Sequence, residues 1–246
     1  MAWFETWFDT PYYHILYKDR NFAEAEQFIS LLIKELDLPK NSRIVDLACG
    51  KGRHSVFLNQ LGFDVLGLDL SKASILHNKQ FENSTLKFSV HDMRNEISSE
   101  VFLEKADAVL NLFTSFGYFE NEKEDEKVFR SVSNSLKKNG FFVLDYLNAK
   151  KVENSLVNEE IITKGGIDFT IRKKIENQYI IKDILFQDAG EQYHFFEKVK
   201  LHTLAEIEKY ALKYGFESIK TFGDYQLGDF HLENSPRCIN IFQKKN

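Results

Sequence analysis

The 246-residue chain is short of cysteine, proline and basic excess, and each shortage removes a class of protein. Its two cysteines, Cys49 and Cys238, stand far apart, so they form neither a disulfide framework nor a zinc-ligand spacing, and a reducing compartment is expected. The seven histidines show no metal spacing, and no metal site is expected. No apolar run approaches ~18 residues, and the amino terminus MAWFETWFDTPYYH carries acids where a leader would carry basic residues. Membrane and secretory readings fall away, leaving the expectation of a cytoplasmic protein. With a net charge of -5 and a pI near 5.9, nothing advertises a polyanion such as nucleic acid as partner.

Three prolines, Pro11, Pro39 and Pro236, and the lack of repeats or linkers leave long uninterrupted elements. Hydrophobic residues make up 43% of the chain, enough for a sizeable core, and residues 1–246 are expected to form a single domain. NFAEAEQFISLLIKELDL has helical spacing, with Asn21 as N-cap and Glu24 as its capping-box partner. From RIVDLAC onward, buried-strand runs alternate with helices: DVLGLDL, LKFSVHD, ADAVLNLF and FFVLDYL are strands, and EKEDEKVFRSVSNSLKKNG is a helix. Such alternation means right-handed crossovers and an open, doubly wound α/β sheet.

Residues 151–202 break the rhythm. IDFTIRKKIENQYIIKDILFQD and EQYHFFEKVKLH alternate with period two around turn residues, which predicts an antiparallel β insertion. TLAEIEKYALKYGF then resumes as a helix capped by Thr203 with Glu206 three residues on, and ESIKTFGD and RCINIFQKK close the chain as strands. At the other end, residues 1–20 hold Trp3, Phe4, Trp7, Phe8, Tyr12 and Tyr13, which must cover something; they read as core packing or as a lid that excludes water.

The chemistry concentrates in VDLACGKGRH. Gly50-x-Gly52 follows the first strand, where open α/β sheets bind ligands. A phosphate loop would need another spacing, and the dinucleotide fingerprint fails at Ser55. Asp46, four residues before Gly50, would repel a pyrophosphate but favours a ligand bearing an ammonium and a sulfonium. Asp69 ends the second strand 19 residues beyond Gly50, where a carboxylate can accept both ribose hydroxyls, although it could instead cap the next helix. Asp92, at the third strand's end, can accept from an adenine amino group or serve as a turn residue, and Asn111 ends the fourth strand.

DLACGKG, LDLS, HDMR and NLFTSFGYF, in this order, resemble the cofactor motifs of class I S-adenosylmethionine-dependent methyltransferases. The aromatic amino terminus, Thr-Ser-Phe-Gly-Tyr and the insertion further resemble the small-molecule branch that includes amino-sugar N-methyltransferases. The resemblance implies a Rossmann-like seven-stranded sheet, with the insertion before the penultimate helix, and S-adenosylmethionine as cofactor. It implies that Gly50 and Gly52 admit the methionine part, that Asp69 holds the ribose and Asp92 with Met93 the adenine, that Leu70 belongs to the cofactor site, and that Asn111 lies beside the sulfonium. Tyr13, Tyr17 and Arg20 match a tyrosine-rich segment whose arginine pairs with the methionine carboxylate. Tyr118 is the candidate catalytic residue; it positions a small-molecule acceptor or else is a core aromatic. Methylation of nitrogen or oxygen on a small molecule leads, ahead of a tRNA or protein substrate, a non-catalytic cofactor-binding module and a nicotinamide oxidoreductase.

Overall fold

The computed structural model describes residues 3–18, 22–97 and 104–245. Two short helices open it, α1 (Trp3–Trp7) and α2 (Pro11–Leu16), the second capped by Thr10 with Pro11 at its first position. Helix α3 (Phe22–Leu36) follows; Asn21, expected to cap it, lies outside the described residues. The alternating part comprises β1 (Arg43–Leu47), α4 (Arg53–Gln60), β2 (Asp64–Asp69), α5 (Lys72–Asn78), β3 (Leu86–Val90), β4 (Ala106–Asn111), α6 (Glu122–Ser135) and β5 (Leu136–Leu147). Helix α7 (Ala149–Asn154) leads into β6 (Glu159–Lys164), β7 (Ile167–Glu176), β8 (Tyr179–Asp188) and β9 (Glu191–Lys200), before α8 (Leu204–Lys213), β10 (Phe216–Phe222) and β11 (Arg237–Lys244) end the chain.

Seven strands form the main sheet in the order β10-β11-β5-β4-β1-β2-β3. Strands β1 to β5 are parallel, while β11 runs antiparallel to both β5 and β10. The sheet carries a core on each face, because alternate strand residues point opposite ways. Val45, Leu47, Phe142 and Leu144 meet Phe129 of α6 and Ile207 of α8; Ile44, Val65 and Val143 meet Phe28 and Leu32 of α3 and Leu58 of α4. The main sheet is thus the doubly wound, seven-stranded one expected.

Strands β6 to β9 form a separate antiparallel sheet between β5 and β10 in sequence. Its first strand, β6, was not visible in the period-two pattern. The helix after the insertion, α8, is the last of the described residues rather than the penultimate one, and the Thr203–Glu206 capping box forms as predicted. The insertion has a core of its own. Ile167, Phe169, Ile171 and Ile184 on one face are covered by Trp7 and Leu16 of the amino-terminal helices. Helix α6 stops at Ser135, short of the expected LKKNG, because Leu136 already pairs with Ala106 and Asn139 adopts a left-handed φ of 63°.

Candidate active site

Strand β1 lies between β4 and β2, so the chain leaves it in one direction toward β3 and returns on the other side at β4. Carboxyl ends of strands diverge at such a switch point and leave a crevice. A cavity of about 1230 Å³ occupies it. Asp46, Gly50, Asp69, Leu70, Asp92 and Met93 line one end; Trp3, Phe8, Tyr13 and Tyr17 roof it; Phe113, Thr114, Tyr118 and Arg237 line the other end.

The glycine turn shows why its two glycines differ. Gly50 has a φ of +53°, and a Cβ there would meet nothing within 4 Å, so its bare Cα faces open space beside the cavity. Gly52, left-handed at +73°, would drive a Cβ to 2.9 Å from the Phe88 ring and 3.1 Å from Asn78. Its smallness serves packing behind the turn, and it does not line the cavity, which corrects the expectation that it admits the methionine part. Asp69 fastens this turn to β2: its carboxylate accepts from Gly50 N at 2.7 Å and from Ser71 N at 2.8 Å, while Ser71 itself caps α5.

Asp46 is buried at 1% exposure and accepts from Ser55 Oγ at 2.6 Å. Burial pushes its carboxyl up to about 6, with Ser55 pulling down and Asp69 adding to the rise. Burial likewise raises Asp69, against the pull of the Ser71 and Gly50 amides. A bare glycine Cα, the buried Asp46 and the half-buried Asp69 fit a ligand with a positively charged methionine end and a ribose. Asp92, also at the cavity, is held by Arg94 through Nε at 2.9 Å and Nη2 at 2.5 Å, and Arg94 continues to Glu124 at 2.9 Å. Burial favours its neutral form, but these bonds together outweigh it and hold Asp92 below the usual carboxylate range.

Asn111 is fully buried, donates from Nδ2 to Leu47 O at 3.0 Å and does not line the cavity. It ties β4 to β1 behind the site, contrary to the expected place beside a sulfonium. Arg20 lies outside the described residues. Tyr17 donates to Glu197 Oε1 at 2.8 Å, and Trp7 Nε1 donates to the same oxygen at 2.8 Å. Tyr13 packs edge-on against Trp7 and Phe8. Tyr118 sits among Trp3, Phe4 and Phe8, and its hydroxyl donates to Thr114 O at 2.6 Å.

Sequence reasoning missed two constellations. Glu197, Lys182 and Trp7 join the insertion to the amino terminus, with Lys182 Nζ 3.6 Å from the Glu197 carboxylate. Asp145, Arg237, Tyr225 and Thr114 converge from four separate segments. The available signals were an acid inside the apolar run FFVLDYL and an arginine opening an apolar strand.

A protein-family model described as a methyltransferase domain matches residues 38–207. The chain belongs to the methyltransferase domain family. This methyltransferase depends on S-adenosylmethionine, in keeping with its cofactor motifs. It is 27% identical over 236 residues to the glycine/sarcosine N-methyltransferase of Aphanothece halophytica, covering 92% of this chain and 83% of that one. It is 23% identical over 204 residues to the dTDP-3-amino-3,4,6-trideoxy-alpha-D-glucopyranose N,N-dimethyltransferase of Streptomyces venezuelae, covering 78% and 81%. In fold, it matches an S-adenosylmethionine-dependent methyltransferase from Clostridium acetobutylicum with a TM-score of 0.80 at 20% identity, covering 96% of each chain. An amino pentose methyltransferase from Micromonospora echinaspora matches with a TM-score of 0.72 at 18% identity, covering 93% of each. No helix among the described residues of the methyltransferase is long and apolar enough to cross a membrane.

Proposed function

We propose that this methyltransferase methylates a nitrogen of a small-molecule acceptor seated between the Phe113–Tyr118 loop, the amino-terminal helices and β9. The cavity carries the reading: at about 1230 Å³ it exceeds the ~300–1,000 Å³ that holds a single small ligand, so it has room for cofactor and acceptor together. Its aromatic roof suits a small acceptor better than a tRNA or a protein. S-adenosylmethionine, when bound, supplies a methyl group already activated by its sulfonium, so the protein's task is alignment.

Gly50 gives the room, Asp46 and Asp69 meet the ammonium and the ribose, Leu70 and Met93 offer apolar surface to the adenine, and Asp92, held by Arg94, faces its edge. Tyr13 and Tyr17 close over the site as part of a lid made by residues 3–18. The Tyr118 proton is committed to Thr114 O, so toward an acceptor the phenol oxygen accepts a hydrogen bond and orients the amine. A neutral phenol is a poor base at pH 7, and positioning is its role. The relatives that methylate glycine, sarcosine and an amino sugar support nitrogen as the target. The test is turnover of S-adenosylmethionine with matched amines and alcohols, read by mass spectrometry of the product; methylation of the alcohols and not the amines would overturn it.

A further inference from the structure

Arg237 lines the cavity from the first position of β11, yet it takes no part in holding the cofactor or orienting the amine. Its guanidinium is held from behind. Nε donates to Asp145 Oδ1 at 2.8 Å, Nη2 lies 2.6 Å from the same oxygen, and Nη2 also donates to Thr114 Oγ1 at 2.7 Å. Asp145 is fully buried, and its other oxygen accepts from Phe113 N at 2.7 Å and the Tyr225 hydroxyl at 3.2 Å. Three hydrogen bonds and the ion pair with Nη2 therefore occupy this carboxylate inside the wall. The Arg237 side chain keeps 17% of its surface, and Nη1 makes no hydrogen bond or ion pair among the described residues. What the pair shows the cavity is the cationic edge.

The wall around it is bent to make this possible. Phe113 and Thr114 are consecutive non-glycine residues with left-handed φ of 59° and 61°. Such backbone is costly and persists where surrounding bonds over-determine it. Here those bonds are Phe113 N and Thr114 Oγ1 to the Asp145–Arg237 pair, together with Thr114 N to Asp145 O at 3.1 Å. Thr114 also receives the Tyr118 hydroxyl, so one residue sets both the guanidinium and the phenol.

We infer that Arg237 is a specificity determinant that binds an anionic group, a carboxylate or a phosphate ester, carried by the same small molecule whose amine Tyr118 orients. This rests on the nitrogen-methylation reading above. A charge-assisted bond from a pre-oriented, partly buried guanidinium holds the distal end of the acceptor and fixes its nitrogen by leverage.

The test compares paired probes at saturating S-adenosylmethionine: glycine and sarcosine against their amides, and a nucleoside-diphosphate amino sugar against the free amino sugar. The wild type is expected to prefer the anionic member of one pair by ~10-fold or more in kcat/KM, and which pair does so identifies carboxylate or phosphate. Arg237→Gln alone would strand a buried carboxylate, so Asp145→Asn/Arg237→Gln is the informative variant. It should abolish the preference in kcat/KM while leaving cofactor affinity by calorimetry unchanged. Arg237→Lys should restore part of the preference. Equal use of both members of each pair by the wild type, or a preference that survives in the double variant, overturns the inference while leaving N-methylation standing. Failure to methylate any amine despite cofactor binding overturns the nitrogen reading and this inference with it.

Discussion

At one end of the cavity the lining groups come from residues 46 to 93, gathered around the ends of parallel strands, and they include the carboxylates of Asp46, Asp69 and Asp92, the last paired with Arg94. At the other end, Thr114, Asp145, Tyr225 and Arg237 gather from a loop, two strands and a turn, and the cavity-facing charge is a guanidinium already paired behind. The first arrangement suits one fixed ligand whose parts are met in chain order. The second depends on long-range neighbours, so it can change with little disturbance to the first.

The largest expected effect lies at the second end. Asp145→Ala removes the partner of a partly buried arginine and should cost ~3–5 kcal/mol of stability by chemical denaturation; a loss under 1 kcal/mol would show that the pair is solvated and blur the contrast. At the first end, Asp69→Ala should weaken S-adenosylmethionine binding by ~1.5–3 kcal/mol in calorimetry, since a charge-assisted acceptor is lost. Unchanged affinity in a folded variant would move the ribose elsewhere. Tyr118→Phe should lower turnover by ~10–100-fold with cofactor affinity nearly intact. If affinity falls instead, the two ends are not separable.

A smaller effect is a pH dependence confined to the cofactor end. Asp46 titrates near 6 in the free protein, so its raised carboxyl favours the fold when protonated, and that contribution fades as pH rises through 6. A cationic ligand prefers the ionised form. Cofactor affinity should therefore rise up to ~10-fold from pH 5 to 7 and level off above, and Asp46→Asn should flatten the curve. Smallest of all, Gly52→Ala should lose ~1–2 kcal/mol of stability, since it adds a Cβ against Phe88 at a left-handed φ, whereas Gly50→Ala pays only the backbone strain of ~1 kcal/mol and shows itself mainly in weaker cofactor binding. Equal stability losses would refute the division of labour between the two glycines.

The same contrast explains what was legible in the sequence. Asp46, Gly50 and Asp69 announce themselves because strand ends and turns are local, and local patterns survive in one dimension. Gly52 misled because a motif fixes a residue's identity without saying which side of the turn its bare Cα faces. Asn111 misled for a like reason: strand parity sent its side chain under β1 to Leu47. Arg237 was invisible because β11 enters between β5 and β10, and only that antiparallel insertion carries its first residue to Asp145. The sheet itself was readable from its alternation, apart from strand β6, which has too few apolar positions to show a period.

Trp7 and Glu197, joined by one hydrogen bond, are separated by 190 residues. During synthesis α1 and α2 emerge well before the insertion on whose apolar face of Phe169 and Ile184 they rest. Residues 3–18 therefore precede their support by about 150 residues of chain, with Trp7 and Leu16 uncovered until it arrives. The roof is thus made before the insertion it rests on and completed after it, and the vessel gains its cover only once its floor is laid.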